Sequence, residues 1–288
     1  MDFAQNSMSI QHRWFIPLIC LAGIVMLWTG VSISLATKPE QSIAKGVSYW
    51  VDEGQNSSID DVLSTQVHWQ VEQSDTLSLG LVGEPVWFQF SLPASNVERI
   101  LTLDYALLDD VQIWYFINGV QLSYHKVGDR LPFAQRPVNY EKFAFDLPPK
   151  ATSIQVVMRV QTSGSLRLPL QLWDARQFQV HNAEQNLVMG LVFGFICAMM
   201  VSNLFLFVTT RSVTFLSYCC YVFFATLTLA SLHGYGYKYL WPESVWLANH
   251  SVGMFVTAMI VSSLVFSIQL LQVAKHSRLL HKILKVAV

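Results

Sequence analysis

The residues best suited to chemistry lie in one short loop, Gly128–Arg136, which carries two arginines, an aspartate and a proline between two predicted strands. Two guanidinium groups this close in sequence can act as bidentate donors to an anion or to a polyol. Arg130 and Arg136 would then bind the ligand, with Asp129 beside them. The structural alternative, which we favour, is that Asp129 caps the turn and pairs with Arg136 at one end of the domain.

Two adjacent carboxylates, Asp109 and Asp110, precede this loop. Successive residues of a strand point to opposite faces, so in a strand these two side chains could not act on one substrate. In a loop they could instead ligate a cation. We include both as candidate ligand-binding residues and predict no metal centre.

Trp114 is a third kind of candidate, because it makes the predicted strand Val111–Ile117 apolar on both faces. Trp114 and Phe116 lie opposite the alternating set of this strand, and an aromatic platform of this type could stack against a sugar-like ligand. The alternative, which we favour, is a central strand with one face packed and the other partly covered.

No arrangement typical of catalysis accompanies these residues. The sequence contains no G-x-S-x-G, no H-E-x-x-H and no phosphate-binding glycine loop. His276 and His281 are on different faces of a helix rather than at metal-ligand spacing. Asp52–Glu53 and Asp60–Asp61 are interpreted as solvated loops. We therefore expect no enzymatic activity in this chain and no cofactor.

The elements that position these residues divide into a soluble part and a membrane part. The chain is 52% hydrophobic and only 13% charged, whereas soluble proteins average about 25% charged residues. Four runs without Lys, Arg, Asp or Glu are long enough to cross a bilayer, which needs about 20 apolar residues. These runs are Trp14–Ala36, Leu187–Val208, Val213–Leu232 and Leu247–Leu271.

Basic residues in the short segments beside these runs predict the orientation, since cytoplasmic loops carry the excess of Lys and Arg. Only Lys238 lies in the loop 233–246, which is rich in Tyr and Trp, as membrane–water interfaces are. Residues 37–183 and this loop are therefore predicted outside the cytoplasm, and residues 272–288 form a basic cytoplasmic segment that leads into a next span. The basic residues assigned to the cytoplasm are Arg13, Arg211, Lys275, Arg278, Lys282 and Lys285.

The first run, within residues 1–36, has two interpretations. It is either a membrane anchor or a signal peptide cleaved after Ala36, because Ser34-Leu35-Ala36 fits the small-x-small cleavage rule. Either way, the following segment is exported. The four cysteines, Cys20, Cys197, Cys219 and Cys220, all lie in apolar runs, so the exported domain has no disulfide framework.

The exported segment is predicted to be an all-β sandwich of seven or eight antiparallel strands, a jelly roll or a similar fold. Apolar residues alternate with period two along several runs, and no stretch shows a convincing period of 3.6. Asn118-Gly119 is typical of a type I′ hairpin. The alternating runs begin at Val86, Val111, Phe143, Ile154 and Leu166.

A few polar or small residues lie within the membrane runs. Asn203, Asn249 and His250 are expected to form hydrogen bonds between helices or to lie near the interface. Gly190 and Gly194 allow close helix contact. Intramembrane charge, which a transport pathway would need, is not found in these runs.

At this point the sequence resembles a known family, the bacterial seven-transmembrane receptors with diverse intracellular signalling modules. Within residues 45–275, LLDDVQIWYFINGVQL, GDRLPFAQR, FAFDLP and MRVQTSGSLRLPLQLW resemble its periplasmic sensor domain of the second type. NLVMGLVFGFICAMMVSNLFLFVTTRS resembles its first receptor helix, with Asn203 and Arg211 placed as expected, and HGYGYKYLWP resembles the loop after its second.

The resemblance implies a jelly-roll sensor in the periplasm of a multi-pass inner-membrane protein. It implies binding of a small ligand, with carbohydrate as one candidate, and relay through the helices to an output domain such as a diguanylate cyclase or a histidine kinase. Phe178–Asn186, which joins the last strand to the next span, is the expected mechanical link. Homodimer formation is left open, and no basic surplus points to nucleic acid.

The chain departs from this family in one respect. The family has seven spans after the sensor, whereas three are visible here before the sequence ends at KILKVAV. We therefore expect a truncated receptor or a fragment without an output activity of its own. The alternative is an accessory subunit of a transporter or of a polysaccharide export system, which four spans and an exported sandwich suit equally well.

Overall fold

The computed structural model describes residues 38–43, 46–54, 57–64, 67–71, 77–147, 149–150 and 152–270. The predicted first run Trp14–Ala36 lies outside these residues, as do Arg13, Cys20, the two histidines His276 and His281, and the basic residues from Lys275 onwards.

Twelve strands are found in the described residues, more than the seven or eight predicted, because several are very short. They are β1 Gln41–Ser42, β2 Ser48–Val51, β3 Gln70–Val71, β4 Leu77–Leu81, β5 Val86–Leu92, β6 Arg99–Leu103, β7 Asp110–Ile117, β8 Val120–Val127, β9 Phe143–Leu147, β10 Ile154–Gln161, β11 Ser165–Leu168 and β12 Leu170–Asp174.

Two antiparallel sheets form the sandwich and confirm the predicted all-β class. One has the strand order β1-β12-β6-β9, the other β3-β2-β5-β10-β7-β8, and β11 and β4 form a separate pair. The predicted alternating sets make up the core between the sheets, for example Phe88, Ile113, Phe145, Met158 and Leu172, all fully or almost fully buried. The period-two pattern is visible in sequence because each of these strands buries one face in this core.

The predicted hairpin at Asn118-Gly119 is confirmed. Both residues have positive φ, 50° and 78°, as a type I′ turn requires, and Ile117 pairs with Val120 across the turn. The single predicted strand from Leu166 onwards is divided at Pro169, and its two halves pair with different strands.

A short helix, α1, spans Ile59–Ser64 and was not predicted. Ser58 and Asp61 cap it reciprocally, in an arrangement related to a capping box. The Asp61 carboxylate accepts from the Ser58 amide (2.9 Å) and hydroxyl (2.7 Å), and the Asp61 amide donates to the Ser58 hydroxyl (3.3 Å). Asp60 and Asp61 are solvent-exposed, as expected, but they lie in this helix rather than in a loop. Asp52 and Glu53 lie in a loop, as expected, but Asp52 is only 1% exposed and accepts a hydrogen bond from the Ser57 amide.

Among the described residues, three long helices follow the sandwich, and each is long and apolar enough to cross a membrane: α2 Ala175–Thr210, α3 Val213–Leu232 and α4 Val245–Leu270. A short π-helix, Gly236–Leu240, lies between α3 and α4. The Asp174 carboxylate caps α2 by accepting from the Arg176 and Gln177 amides. This helix runs without interruption for 36 residues. Phe178–Asn186, the expected mechanical link, therefore lies within α2, which begins directly after the last strand ends at Asp174.

Candidate functional site at the junction of sandwich and membrane hairpin

The loop Gly128–Arg136 packs against the residues that lead into β7. The Asp129 amide donates to the Leu108 carbonyl (2.9 Å) and the Arg130 amide to the Asp109 carbonyl (3.4 Å). A Cβ on Gly128 would lie 2.0 Å from the Asp109 carbonyl oxygen. Only glycine therefore allows the two segments to approach this closely.

The adjacent carboxylates point to different partners. Asp109 is 7% exposed, and its Oδ2 accepts from Arg130 (2.6 Å) and from the amide and hydroxyl of Ser163 (3.1 and 2.9 Å). Asp110 instead lies 3.1 Å from Lys126 on β8. The expectation that the pair cannot act on one substrate agrees with this geometry.

The two arginines also serve different purposes. Arg130 pairs with Asp109, and its side chain is 60% exposed. Arg136 is half-buried, and its Nη1 donates to the carbonyls of Tyr140, Glu141 and Lys142 (3.4, 2.9 and 2.7 Å). Its guanidinium also lies over three aromatic rings, those of Phe133, Phe143 and Tyr237, at 4.5–5.5 Å.

Burial lowers the pKa of the Arg136 guanidinium to about 10, so it remains charged at neutral pH. The predicted Asp129–Arg136 salt bridge is absent from the ion pairs of the described residues. Arg136 bonds to the backbone of the turn that precedes β9 instead. Arg136 therefore stabilises this end of the sandwich, as the structural interpretation expects, but it does so through backbone carbonyls and not through Asp129.

The Asp129 side chain of this loop is buried without a full set of hydrogen bonds. It is 7% exposed, and its Oδ1 has no hydrogen-bond partner. Burial, followed by the neighbouring Asp109 carboxylate, raises the pKa of Asp129 to about 7, against the opposing effect of Arg130 and Arg136. This carboxyl group can therefore change its charge in the neutral pH range.

The turn between α3 and α4, residues 233–244, docks onto this loop. The Tyr237 hydroxyl donates to the Leu131 carbonyl, the Phe133 amide to the Pro242 carbonyl (3.2 Å) and the Asn249 amide group to the Asp129 carbonyl (3.4 Å). We call α3, this turn and α4 the membrane hairpin. Its contact with the sandwich agrees with the orientation that places both on one side of the membrane.

A buried ion pair anchors the same contact. Lys238 lies 3.4 Å from Glu141, and their side chains are only 6% and 1% exposed. Gly234, with φ of 80°, passes so close to the sandwich that a Cβ there would lie 2.1 Å from the Glu141 carbonyl oxygen. This buried charged contact and the close approach of Gly234 join the sandwich to the turn of the membrane hairpin.

A second contact joins the sandwich to α2. Phe178 is 4% exposed and packs edge-to-face on Tyr140, with ring centroids 5.2 Å apart. One turn later His181 stacks on Trp173 at 4.4 Å. Tyr140 and Glu141 are neighbours in sequence, so one turn of the sandwich holds both α2 and the membrane hairpin.

Trp114 lies on the outer face of the larger sheet, away from this junction. It is 8% exposed and lies between Trp87, on which it stacks (5.5 Å), and Tyr124, whose ring is tilted against it (5.0 Å). Val62 of α1 packs into the same cluster, so the second face of β7 is covered. The exposed aromatic ring here is that of Tyr124, at 42%.

The structure thus brings Asp109, Asp129, Arg130 and Arg136 together and leaves Asp110 and Trp114 on the outer face. The sequence analysis did not identify Glu141, Tyr237 or Asn249 as parts of the junction. One feature of the sequence pointed to such a contact. Lys238 is the only Lys or Arg in the interfacial loop 233–246, and its charge needs either solvent or an acidic partner. The described residues contain no group of three or more His, Cys, Asp or Glu side chains able to hold a metal ion.

Comparison with known families agrees with this architecture. Residues 44–174 match the family described as 7TMR-DISM extracellular 2, and residues 185–288 match the one described as 7TM diverse intracellular signalling. The chain belongs to the family of seven-transmembrane receptors with diverse intracellular signalling modules. It is a multi-pass membrane protein with a periplasmic sandwich, and its family is a receptor family rather than a catalytic one. The search of curated proteins found no match.

Proposed function

We propose that this chain is the sensing part of a signal-transduction receptor, in which the sandwich binds a small periplasmic ligand and the membrane helices pass the signal to an output domain. The observation that carries the proposal is the docking of the membrane hairpin on the sandwich through the buried Lys238–Glu141 pair. A domain that was merely tethered would not need a buried charged contact with the helices.

The outer face of β7 and β8 is the surface that we assign to the ligand. The exposed Tyr124 ring, backed by Trp114, lies beside a polar network in which its hydroxyl donates to Gln112 (3.2 Å) and Gln112 donates to Asp110 (3.0 Å). Lys126 pairs with the same Asp110 carboxylate. An aromatic face next to fixed donors and acceptors suits a carbohydrate, which presents apolar C–H faces and hydroxyl groups.

This surface is connected to the junction through two successive residues. Asp110 belongs to the outer polar network, whereas Asp109 holds Arg130 and the loop that contacts the membrane hairpin. A ligand that rearranges the Asp110–Lys126 pair acts one residue away from Asp109, which holds this loop through Arg130. For a signal to result, the ligand must bind one arrangement of sandwich and helices more tightly than the other.

A panel of neutral and acidic mono- and oligosaccharides, added to the purified full chain in detergent, tests the binding step. We expect at least one to raise the melting temperature, and Tyr124→Ala to abolish this shift. Tyr239→Ala, which removes an exposed tyrosine of the membrane hairpin, is the matched control and should keep it. If saccharides bind equally well without the Tyr124 ring, the assigned surface is wrong.

The relay step is tested separately with Lys238→Met, which removes the charged contact but leaves the outer face intact. This variant should bind the same saccharide with unchanged affinity. The readout is the reactivity of a cysteine introduced by Arg211→Cys, just beyond the cytoplasmic end of α2. Any change in this reactivity that the saccharide causes should be lost when Lys238→Met is added. If that change survives in Lys238→Met, the Lys238–Glu141 contact is not part of the relay.

A further inference from the structure

Arg159 lies near the middle of the larger sheet, on its outer face. It belongs to β10, whose Met158 and Val160 point into the core, so the Arg159 side chain points to the opposite face. Strand pairing places it between Trp87 on β5 and Gln112 on β7. The residue is only partly exposed, and it lies in an inner strand rather than at a sheet edge, where charged side chains are usual.

The charge of this guanidinium has no carboxylate beside it in the described part of the chain. Its Nη2 donates to a neutral group, the Gln161 side-chain oxygen (3.3 Å), and Arg159 is in none of the ion pairs of the described residues. The bond to Gln161 uses one of the five N–H donors of the guanidinium. Arg159 therefore offers both charge and hydrogen bonds to a ligand on this face.

The surroundings of Arg159 carry a positive charge in excess. Gln112, its neighbour on β7, is paired in turn with Lys126 on β8, so one row across the sheet bears two cations. We call Arg159, Gln112 and Lys126 the cationic row. The acidic group beside it, Asp110, is engaged by Lys126 (3.1 Å) and by Gln112 (3.0 Å). One carboxylate offsets one of the two cations, and the charge of the other remains.

The cationic row lies beside the Tyr124 ring, the aromatic group of the proposed ligand surface. The Tyr124 hydroxyl donates to Gln112 (3.2 Å), the residue between the two cations. Burial raises the pKa of this hydroxyl, and the charges of Lys126, Asp110 and Arg159 also act on it. The positive charge and the aromatic ring are therefore close enough to contact one ligand.

We propose that the ligand of this surface is an acidic saccharide, whose carboxylate pairs with Arg159 while its ring stacks on Tyr124. This inference rests on the proposed function and specifies the class of sugar. A planar carboxylate matches the guanidinium fork and can accept two parallel hydrogen bonds from it. Uronic acids, in which a carboxylate replaces the terminal hydroxymethyl group, combine this group with a sugar ring. A neutral sugar would leave the charge of Arg159 without a partner.

Pairs of saccharides that differ only in charge test this class. Trimers of galacturonate, glucuronate and mannuronate are each compared with their methyl esters, and affinities for the purified full chain in detergent are measured by calorimetry. We expect at least one acid to bind about tenfold more tightly than its ester, as a charge-assisted pair would give. The preference for the acid should decrease when the salt concentration is raised from about 50 to about 500 mM.

Variants of Arg159 assign the preference to its guanidinium. Arg159→Gln should reduce the preference to about twofold or less, mainly by weakening the binding of the acid. Arg159→Lys restores the charge without the planar fork and should regain part of the preference, which a folding defect would not allow. The matched control is Arg167→Gln. It removes an exposed arginine of β11, outside the larger sheet, and should keep the full preference.

The outcomes separate this inference from the proposed function. Equal affinity for acids and esters, lost in Tyr124→Ala, would overturn the acidic class and leave the proposed function standing. A preference for the acid that survives in Arg159→Gln would likewise overturn only the inference. Binding of no saccharide, charged or neutral, or binding that does not need Tyr124, would overturn both.

Discussion

Lys238, in the turn of the membrane hairpin, forms a salt bridge with Glu141 of the sandwich, with Nζ and Oε2 3.4 Å apart and both side chains almost fully buried. The second carboxylate oxygen of Glu141 has no hydrogen-bond partner. Burying two charges has a desolvation cost that their attraction offsets only in good geometry. This pair therefore defines where the membrane hairpin docks more than it adds to stability.

Glu141→Gln should destabilise the protein by about 3–5 kcal/mol, because it leaves the Lys238 ammonium buried without a counter-charge. The double variant Glu141→Gln, Lys238→Met should recover at least half of this loss. Thermal unfolding of the purified chain in detergent measures both. Lys126→Met, which breaks the more exposed pair with Asp110, is the control and should cost at most about 1 kcal/mol. Equal losses in Glu141→Gln and Lys126→Met would contradict the buried contact.

Gly128→Ala, which adds a single methyl group, should strongly lower the stability of the protein. Its Cβ would lie 2.0 Å from the Asp109 carbonyl oxygen, and since the clashing atom belongs to the backbone, the loop itself must move. We expect a loss of about 3 kcal/mol, at the upper end for overpacking, and weaker docking of the membrane hairpin. Gly83→Ala meets nothing within 4 Å and should be nearly neutral. Limited proteolysis and thermal unfolding of the two variants should separate them clearly.

The strands of the core could be predicted from sequence because the hydrophobic alternation reflects a single buried face, as at Phe88 and Phe145. The helix α1 could not, since it is too short to establish a period and only the Ser58–Asp61 capping pair marks it. The hydrogen-bond partners of Arg136 could not be predicted from the sequence either. A buried guanidinium bonded to backbone carbonyls leaves no complementary residue in the sequence to be recognised.

The contact between the sandwich and the membrane hairpin could not be predicted from the sequence for a related reason. Glu141 and Lys238 are nearly one hundred positions apart, and neither lies in a motif that predicts their contact. Local patterns report burial and secondary structure, whereas the pairing of two distant loops depends on how the sandwich is placed over the helices. The orientation argument, which put residues 37–183 and the loop 233–246 on one side, was as close as sequence could come to this contact.

The charge of Asp129 should make the stability of the protein depend on pH between 6 and 8. Its pKa is raised to about 7 in the folded state, so the folded protein holds a proton that the unfolded chain releases at much lower pH. The associated stability is fully present below the unfolded pKa and is lost as pH rises through about 7, by about 1.4 kcal/mol from pH 6 to pH 8.

Asp129→Asn should remove this dependence while keeping the shape of the side chain. The difference between wild type and variant is the quantity to follow, because every other ionisable group is the same in both proteins and cancels in the comparison. Groups that face Asp129 and could change its behaviour are Asp109, Arg130, Arg136 and Tyr237. The stabilities of the two proteins are compared by thermal unfolding from pH 5.5 to 8.5. A difference between them that stays constant over this range would contradict the assignment to Asp129.

Continuity of α2 between the sandwich and the membrane should matter for signalling. Inserting four glycines after Asn182, in a receptor that carries its output domain, should uncouple output from ligand binding, because a flexible glycine segment interrupts the helix held by Phe178 and His181. Inserting four alanines at the same place is the matched control. It preserves the helix and turns the following part by only about 40°, so part of the response should remain. Full signalling in the glycine variant would show that the membrane hairpin alone carries the signal, through Lys238 and Glu141.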